Sequence, residues 1–259
     1  MMSYLLVFSA FSVFLIILLF GNKIKKLSNY RRCMINRMIP ALMIGFIYFA
    51  GDAVSMLQMK DAISGIISGV CIFCLSSMGL AFTMNITGFE PLPVSMSFVK
   101  KEGRARQILM MLFFSVVIVA FVFIINLFIS QGWRIIFHEQ SKSAQALGLL
   151  PIKNKFLAFP SLLAAAGIAE EGVFRLFFQS LFWKLFKNPW IAIALSSFCF
   201  ALYHLSPMDI MYKVYWQYPL TQFTTVFLSG LVFGYFYKKQ GFETVVLGHT
   251  LFDYICFVL

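Results

Sequence analysis

Residues 164–182 read AAAGIAEEGVFRLFFQSLF, an apolar run with two adjacent carboxylates and one arginine at its centre. A charged side chain at mid-bilayer costs at least about 2.5–3.5 kcal/mol, so such residues persist in apolar spans where they are paired or carry function. Glu170 and Glu171 are neighbours, and a helix turns them about 100° apart. Glu171 and Arg175 are four apart and share a face. The simplest account pairs Arg175 with Glu171 and leaves Glu170 to face another helix. Ala164, Ala165, Ala166 and Gly167 precede this group, and such small residues let a neighbouring helix approach closely. The plainer reading, an ion-paired strut between helices, suits Glu171 and Arg175 better than Glu170, which the pair leaves unpartnered.

The rest of the chain has the same solvent. Of its 259 residues 61% are hydrophobic and only 12% charged, where a soluble domain is nearer a quarter charged. Mean hydropathy is +0.86. A water-soluble protein this apolar would expose large greasy patches. Eight stretches are long enough to cross a bilayer, at about 4–20, 39–58, 62–84, 108–130, 157–182, 190–206, 220–237 and 242–258. The expected fold is therefore all-α, a polytopic transmembrane helix bundle of about eight spans. The first stretch, MMSYLLVFSAFSVFLIILLFGNK, has no basic n-region and no clear small-x-small cleavage site, so an uncleaved first span is expected.

The net charge of +11 does not indicate nucleic acid, because Lys and Arg sit in short runs between apolar stretches. That pattern suits cytoplasmic loops facing anionic lipid. Loops holding Lys23 to Arg37, Lys100 to Arg106, Lys184 with Lys187, and Lys238 with Lys239 fall on one side and carry 14 of the 21 basic residues. This places those loops in the cytoplasm of a cell membrane and both termini outside. The loop at 131–156 is the longest on the outer side, and its stretch SAQALGLLPIKN reads as a connector at the interface. Five cysteines, with Cys71 and Cys74 inside an apolar span, read as small packing residues rather than a redox or disulfide set.

Two more stretches carry polar groups. SSFCFALYHLSP, residues 196–207, holds His204 one turn after Phe200. A lone histidine in a span is often only a packing residue. TVVLGHTLFDYICF, residues 244–257, holds His249 and Asp253 four apart on one face. Their bland reading is a hydrogen bond fixing helix packing. Between them, Gly230 and Gly234 form a GxxxG that reads as a close helix contact. Glu170, His204, His249 and Asp253 on three helices can converge in one polar pocket. A carboxylate and an imidazole around a water make it a nucleophile, and a second imidazole with a further donor can hold the oxyanion of an attacked amide. The same Glu170, His204 and His249 could instead hold one Zn²⁺, although no H-E-x-x-H spacing is present.

These residues stand in the order EExxxR, FxxxH, glycine-containing span, HxxxD: Glu170-Glu171-Gly172-Val173-Phe174-Arg175, Phe200-Ala201-Leu202-Tyr203-His204 and His249-Thr250-Leu251-Phe252-Asp253. The pattern resembles the CAAX-protease and bacteriocin-processing (Abi) family, which includes the Ras-converting CAAX protease. The likeness covers roughly 156–259, leaving 1–155 as an N-terminal region of four spans. It implies an intramembrane endopeptidase with Glu170 as base, His204 as its partner, and His249 with Asp253 at the oxyanion. Glu171 and Arg175 would be a supporting pair. Members are often labelled metalloproteases, and the glutamate mechanism without a metal is the favoured chemistry here. Many members have Asn where this chain has Asp253. A carboxyl kept neutral by its apolar neighbours can donate as Asn does, and an ionised one would instead orient His249.

The resemblance implies a peptide or membrane-protein substrate in the bilayer: a peptide precursor, a leader peptide or a lipidated C-terminus. The competing expectation is a non-proteolytic regulator, scaffold or bacteriocin-immunity protein with a sensor or secretion partner. A transporter is disfavoured, since no internal repeat or pair of broken spans is seen.

Overall fold

A computed structural model of the chain describes residues 2–21, 23, 25–59, 62–83, 86, 88–139, 155–207, 209 and 211–258. The connector stretch at 143–154 lies outside the described residues. Lipid offers backbone amides no hydrogen bonds, so spanning segments must satisfy their own, and helices do so within one segment. Every described element is helical and none is a strand. In order they are α1 (Met2–Phe20), α2 (Lys25–Asn36), α3 (Met38–Met59), α4 (Ala62–Thr83), α5 (Pro93–Lys100), α6 (Arg104–Phe137), α7 (Lys155–Phe186), α8 (Pro189–His204), α9 (Tyr212–Tyr215), α10 (Pro219–Gln240) and α11 (Phe242–Phe257).

Each of the eight apolar stretches overlaps one of these helices. Among the described residues, three helices are long and apolar enough to cross a membrane: Gly65–Thr83, Arg104–Phe137 and Lys155–Phe186. A fourth joins them if α2 and α3, bent by 61° at Arg37, count as one span. The number eight is thus an expectation beyond what length and apolarity establish. The physical reason lies in the site itself. Helices α8 and α11 are only 16 residues each, and α10 is diluted by Thr221, Gln222, Thr224 and Thr225.

Helix α6 lies at the rim, with 17% of its apolar stretch buried, against 61% for that of α4. Its Leu109, Phe113, Val116 and Phe128 are exposed, as befits a lipid-facing surface. On the inner face Ile118 meets Gly248 of α11, where an added Cβ would lie 2.9 Å from the isoleucine Cγ2. Ser115 donates to the Thr244 carbonyl across the same contact, at 3.0 Å. The GxxxG of α10 packs as its sequence indicates. A Cβ on Gly230 would meet Ser197 Cβ at 2.9 Å, and one on Gly234 would meet Ile193 and Gln179 at 2.9 Å. Cys71 and Cys74 are buried free thiols of α4, in a cluster with Phe14, Met34 and Met78.

Helix α5 is tied to the turn between α10 and α11. Glu243 accepts from the Val94 and Ser95 amides at 2.8 and 2.6 Å, placing its charge at the N-terminus of α5. Gly241 makes the turn with φ +82°, and a Cβ there would sit 2.9 Å from the Pro91 carbonyl. Only glycine meets both demands.

Helix α7 is irregular where the site lies. It carries Pro160, then two π-helical stretches, Leu163–Glu170 and Gly172–Gln179, that flank Glu171. Such widened turns gather at functional sites, because each re-aims the side chains beyond it.

Candidate active site

The small residues of α7 bring the site helices together. Gly167 has no room for a side chain against Val246 and Thr250 of α11, so Glu170 and Glu171 arrive beside His249. Glu171 Oε1 then binds His249 Nδ1 at 2.8 Å. The other Glu171 oxygen pairs with Arg175 Nε at 3.1 Å, both side chains being fully buried. Arg175 also donates to Ser196 Oγ at 3.1 Å and lies 4.9 Å over the Phe200 ring. A buried charge in so apolar a place persists only when paired and hydrogen-bonded. The ion pair supplies the first, and Ser196 and His249 give one hydrogen bond to each member, with Arg175 Nη2 left without a partner among the described residues. The His249 ring stacks on Phe233, with centroids 4.5 Å apart.

His204 ends α8, and the chain then turns back. Asp209, buried in that turn, bonds His204 Nδ1 through Oδ2 and accepts the Met211 amide at 2.6 Å through Oδ1. Trp216 donates to the Leu205 carbonyl at 2.7 Å and fastens the same turn. Tyr215 faces the His204 ring edge-on at 5.7 Å.

Each histidine thus has its Nδ1 on a carboxylate, which fixes the ring and keeps the proton on that side. Each Nε2 is left toward Glu170. Glu170 Oε2 stands 3.9 Å from His204 Nε2 and 3.9 Å from His249 Nε2. Asp253 Oδ2 stands 3.8 Å from His249 Nε2. These gaps are too long for direct hydrogen bonds and suit a bridging water. All four groups, with Asp209, line one cavity of about 420 Å³.

The structure therefore brings Glu170, His204, His249 and Asp253 together, and places Glu171 and Arg175 as the pair behind them. Glu171, not Asp253, holds His249 by Nδ1. Sequence reading missed that bond, which joins residues 78 apart. It also missed Asp209. That residue stands five after His204 and beyond Pro207, where helical spacing has no meaning. Zinc needs three or four donors, each about 2.0–2.2 Å from one point. Among the described residues, no group of three or more His, Cys, Asp or Glu is arranged to hold a metal ion.

An apolar helical bundle with an acid and two imidazoles around an internal cavity has the parts of a membrane hydrolase. Residues 152–255 match the family described as Type II CAAX prenyl endopeptidase, Rce1-like. The match agrees with the CAAX-protease resemblance of the motifs and supports a membrane protease in general. No curated protein and no solved structure matches the chain.

Proposed function

We propose that the chain is an intramembrane endopeptidase that hydrolyses a peptide bond of a membrane-associated substrate by a Glu170-activated water. The observation that carries this is the placement of Glu170 Oε2 at 3.9 Å from the Nε2 of both histidines. A water in that gap, bonded to Glu170 and His204, lies beside two proton acceptors. Glu170 takes its proton as the oxygen attacks the carbonyl carbon, and later delivers that proton to the departing amine. The oxyanion forms on the side of His249. An imidazolium there donates one N–H to Glu171 and presents the other to the oxyanion. A neutral Asp253 adds a second donor, as an amide would. Arg175 balances the charge of Glu171 and keeps that carboxylate aimed at the ring.

No metal takes part in this reading. The chain crosses the membrane eight times, with the basic loops in the cytoplasm and both termini outside. The substrate is a peptide precursor, a leader peptide or a lipidated tail held in the bilayer.

Cells carrying wild-type, Glu170→Ala and His204→Ala proteins at equal levels test the reading by the peptides they release. Both variants lose the products of the wild type. A scaffold would tolerate both changes, and unchanged release from either variant overturns the proposal. Chelator-resistant activity of protein free of zinc supports the metal-free route, and activity that tracks bound zinc contradicts it.

A further inference from the structure

The turn between α8 and α10 closes one side of the cavity. The two helices run antiparallel, with Ser197 against Gly230 and Ile193 against Gly234. Equal steps along both set His204 level with Phe223, so the turn that follows His204 stands beside the reacting groups. Asp209, Met211, Tyr215 and Tyr218 of this turn line the cavity together with Glu170 and His204.

Backbone bonds fix Tyr215 in that turn. Its amide donates to the Met211 carbonyl at 3.2 Å, and its carbonyl accepts the Tyr218 amide at 3.0 Å. The next residue, Trp216, ties the turn to the Leu205 carbonyl at 2.7 Å. The Tyr215 ring meets the His204 ring edge-on at 5.7 Å and the Tyr218 ring at 6.2 Å. A buried tyrosine hydroxyl usually finds a partner. Tyr237 does so, sharing a 2.7 Å bond with Ser180. The Tyr215 hydroxyl has no hydrogen bond among the described residues, and its side chain lines the cavity. Burial, then the carboxylates of Asp209, Glu170 and Asp253, hold its phenol above the ordinary tyrosine range. It therefore keeps its proton and offers it as a neutral donor among acids.

We infer that the Tyr215 hydroxyl is a further catalytic group, donating a hydrogen bond to the tetrahedral intermediate on the His204 side of Glu170. This inference rests on the endopeptidase reading. Negative charge developing on an attacked amide gains most from donors held in place beforehand. Asp209 and Glu170 repel such charge, and a phenol fixed beside them offsets that repulsion without adding a charge of its own. The bond strengthens as the intermediate forms, so it raises turnover rather than substrate affinity. No proton leaves the phenol. The water's proton passes to Glu170, the C–N bond breaks, and Glu170 returns that proton to the amine nitrogen. Tyr203 provides a control within the same site. Its ring lies 5.4 Å from that of His204, yet it is not among the residues lining the cavity.

Full-length wild-type, Tyr215→Phe and Tyr203→Phe proteins in lipid nanodiscs test this. Each is given a concentration series of membrane peptides from the same cells, and the rate of appearance of new peptide ends is measured by mass spectrometry. Tyr215→Phe makes the same ends about 10²-fold more slowly, at saturating as well as dilute peptide, so kcat falls and KM holds. Its unfolding midpoint and pH profile match wild type. Tyr215→Leu, a second variant without the hydroxyl, falls at least as far, and Tyr203→Phe stays within about threefold of wild type. Cleavage by Tyr215→Phe within about threefold of wild type, or a loss that vanishes at saturating peptide, overturns the donor. So does an equal loss in Tyr203→Phe, or a shifted pH profile, which would make Tyr215 a positioning residue for Glu170 or His204. No new ends from wild type overturns the endopeptidase reading and the donor together. An unimpaired Tyr215→Phe beside active wild type overturns the donor alone.

Discussion

The two histidines of the cavity are held by different means. His249 lies within α11, its ring against Phe233 and its Nδ1 on Glu171, which is itself paired with fully buried Arg175. Three helices must pack correctly for that network to exist. His204 is the last residue of α8 and is held by Asp209 from the turn that follows. Its position is set locally, by a few residues of chain. The contrast teaches that one half of the site is part of the bundle's stability and the other half is an attachment to it. Damage to the first unfolds or loosens the protein. Damage to the second spoils chemistry in a protein that remains folded.

The largest effect is expected at the group both histidines share. Glu170→Gln keeps the size of the side chain and removes the base, and should lower cleavage by about 10²–10⁴-fold with helix content and melting temperature unchanged. Arg175→Met tests the His249 side. It strips the buried Glu171 of its guanidinium partner and leaves only His249 on that carboxylate, at a cost of about 3–5 kcal/mol, read as a lower midpoint in thermal or denaturant unfolding. Asp209→Asn tests the His204 side. It frees the ring without touching the core, and should lower kcat/KM by about 10–100-fold with the unfolding midpoint within error of wild type. If Asp209→Asn destabilises as much as Arg175→Met, the contrast between the two sides is wrong. Asp253→Asn should do least, with cleavage within about tenfold of wild type. A folded but inactive Asp253→Asn would show that an ionised carboxylate, not a donor, is required there.

Much of this arrangement was legible in the sequence because helical spacing is a local rule. Glu171 and Arg175 stand four apart and are paired. Glu170, turned away from that pair, faces the histidines. The all-helical fold followed from apolar runs that only helices can carry through lipid. Asp209 was not legible, since it meets His204 through a turn with no periodicity. Nor was the His249–Glu171 bond, which depends on how closely α7 and α11 pack at Gly167. The π-helical turns around Glu171 left no mark on the pattern of residues. KKLSNYRRCMIN is too polar to register as a span and reads as a basic loop, whereas residues 25–36 fold as a helix.

One comparison tests Glu170 as the catalytic base most directly. Purified wild-type and Glu170→Gln proteins, matched in helix content and with bound zinc measured, are incubated with membrane peptides from the same cells, and new peptide ends are mapped by mass spectrometry. New ends from wild type alone, from protein with far less than one zinc per chain, are the predicted result. The same ends at the same rate from Glu170→Gln would contradict it.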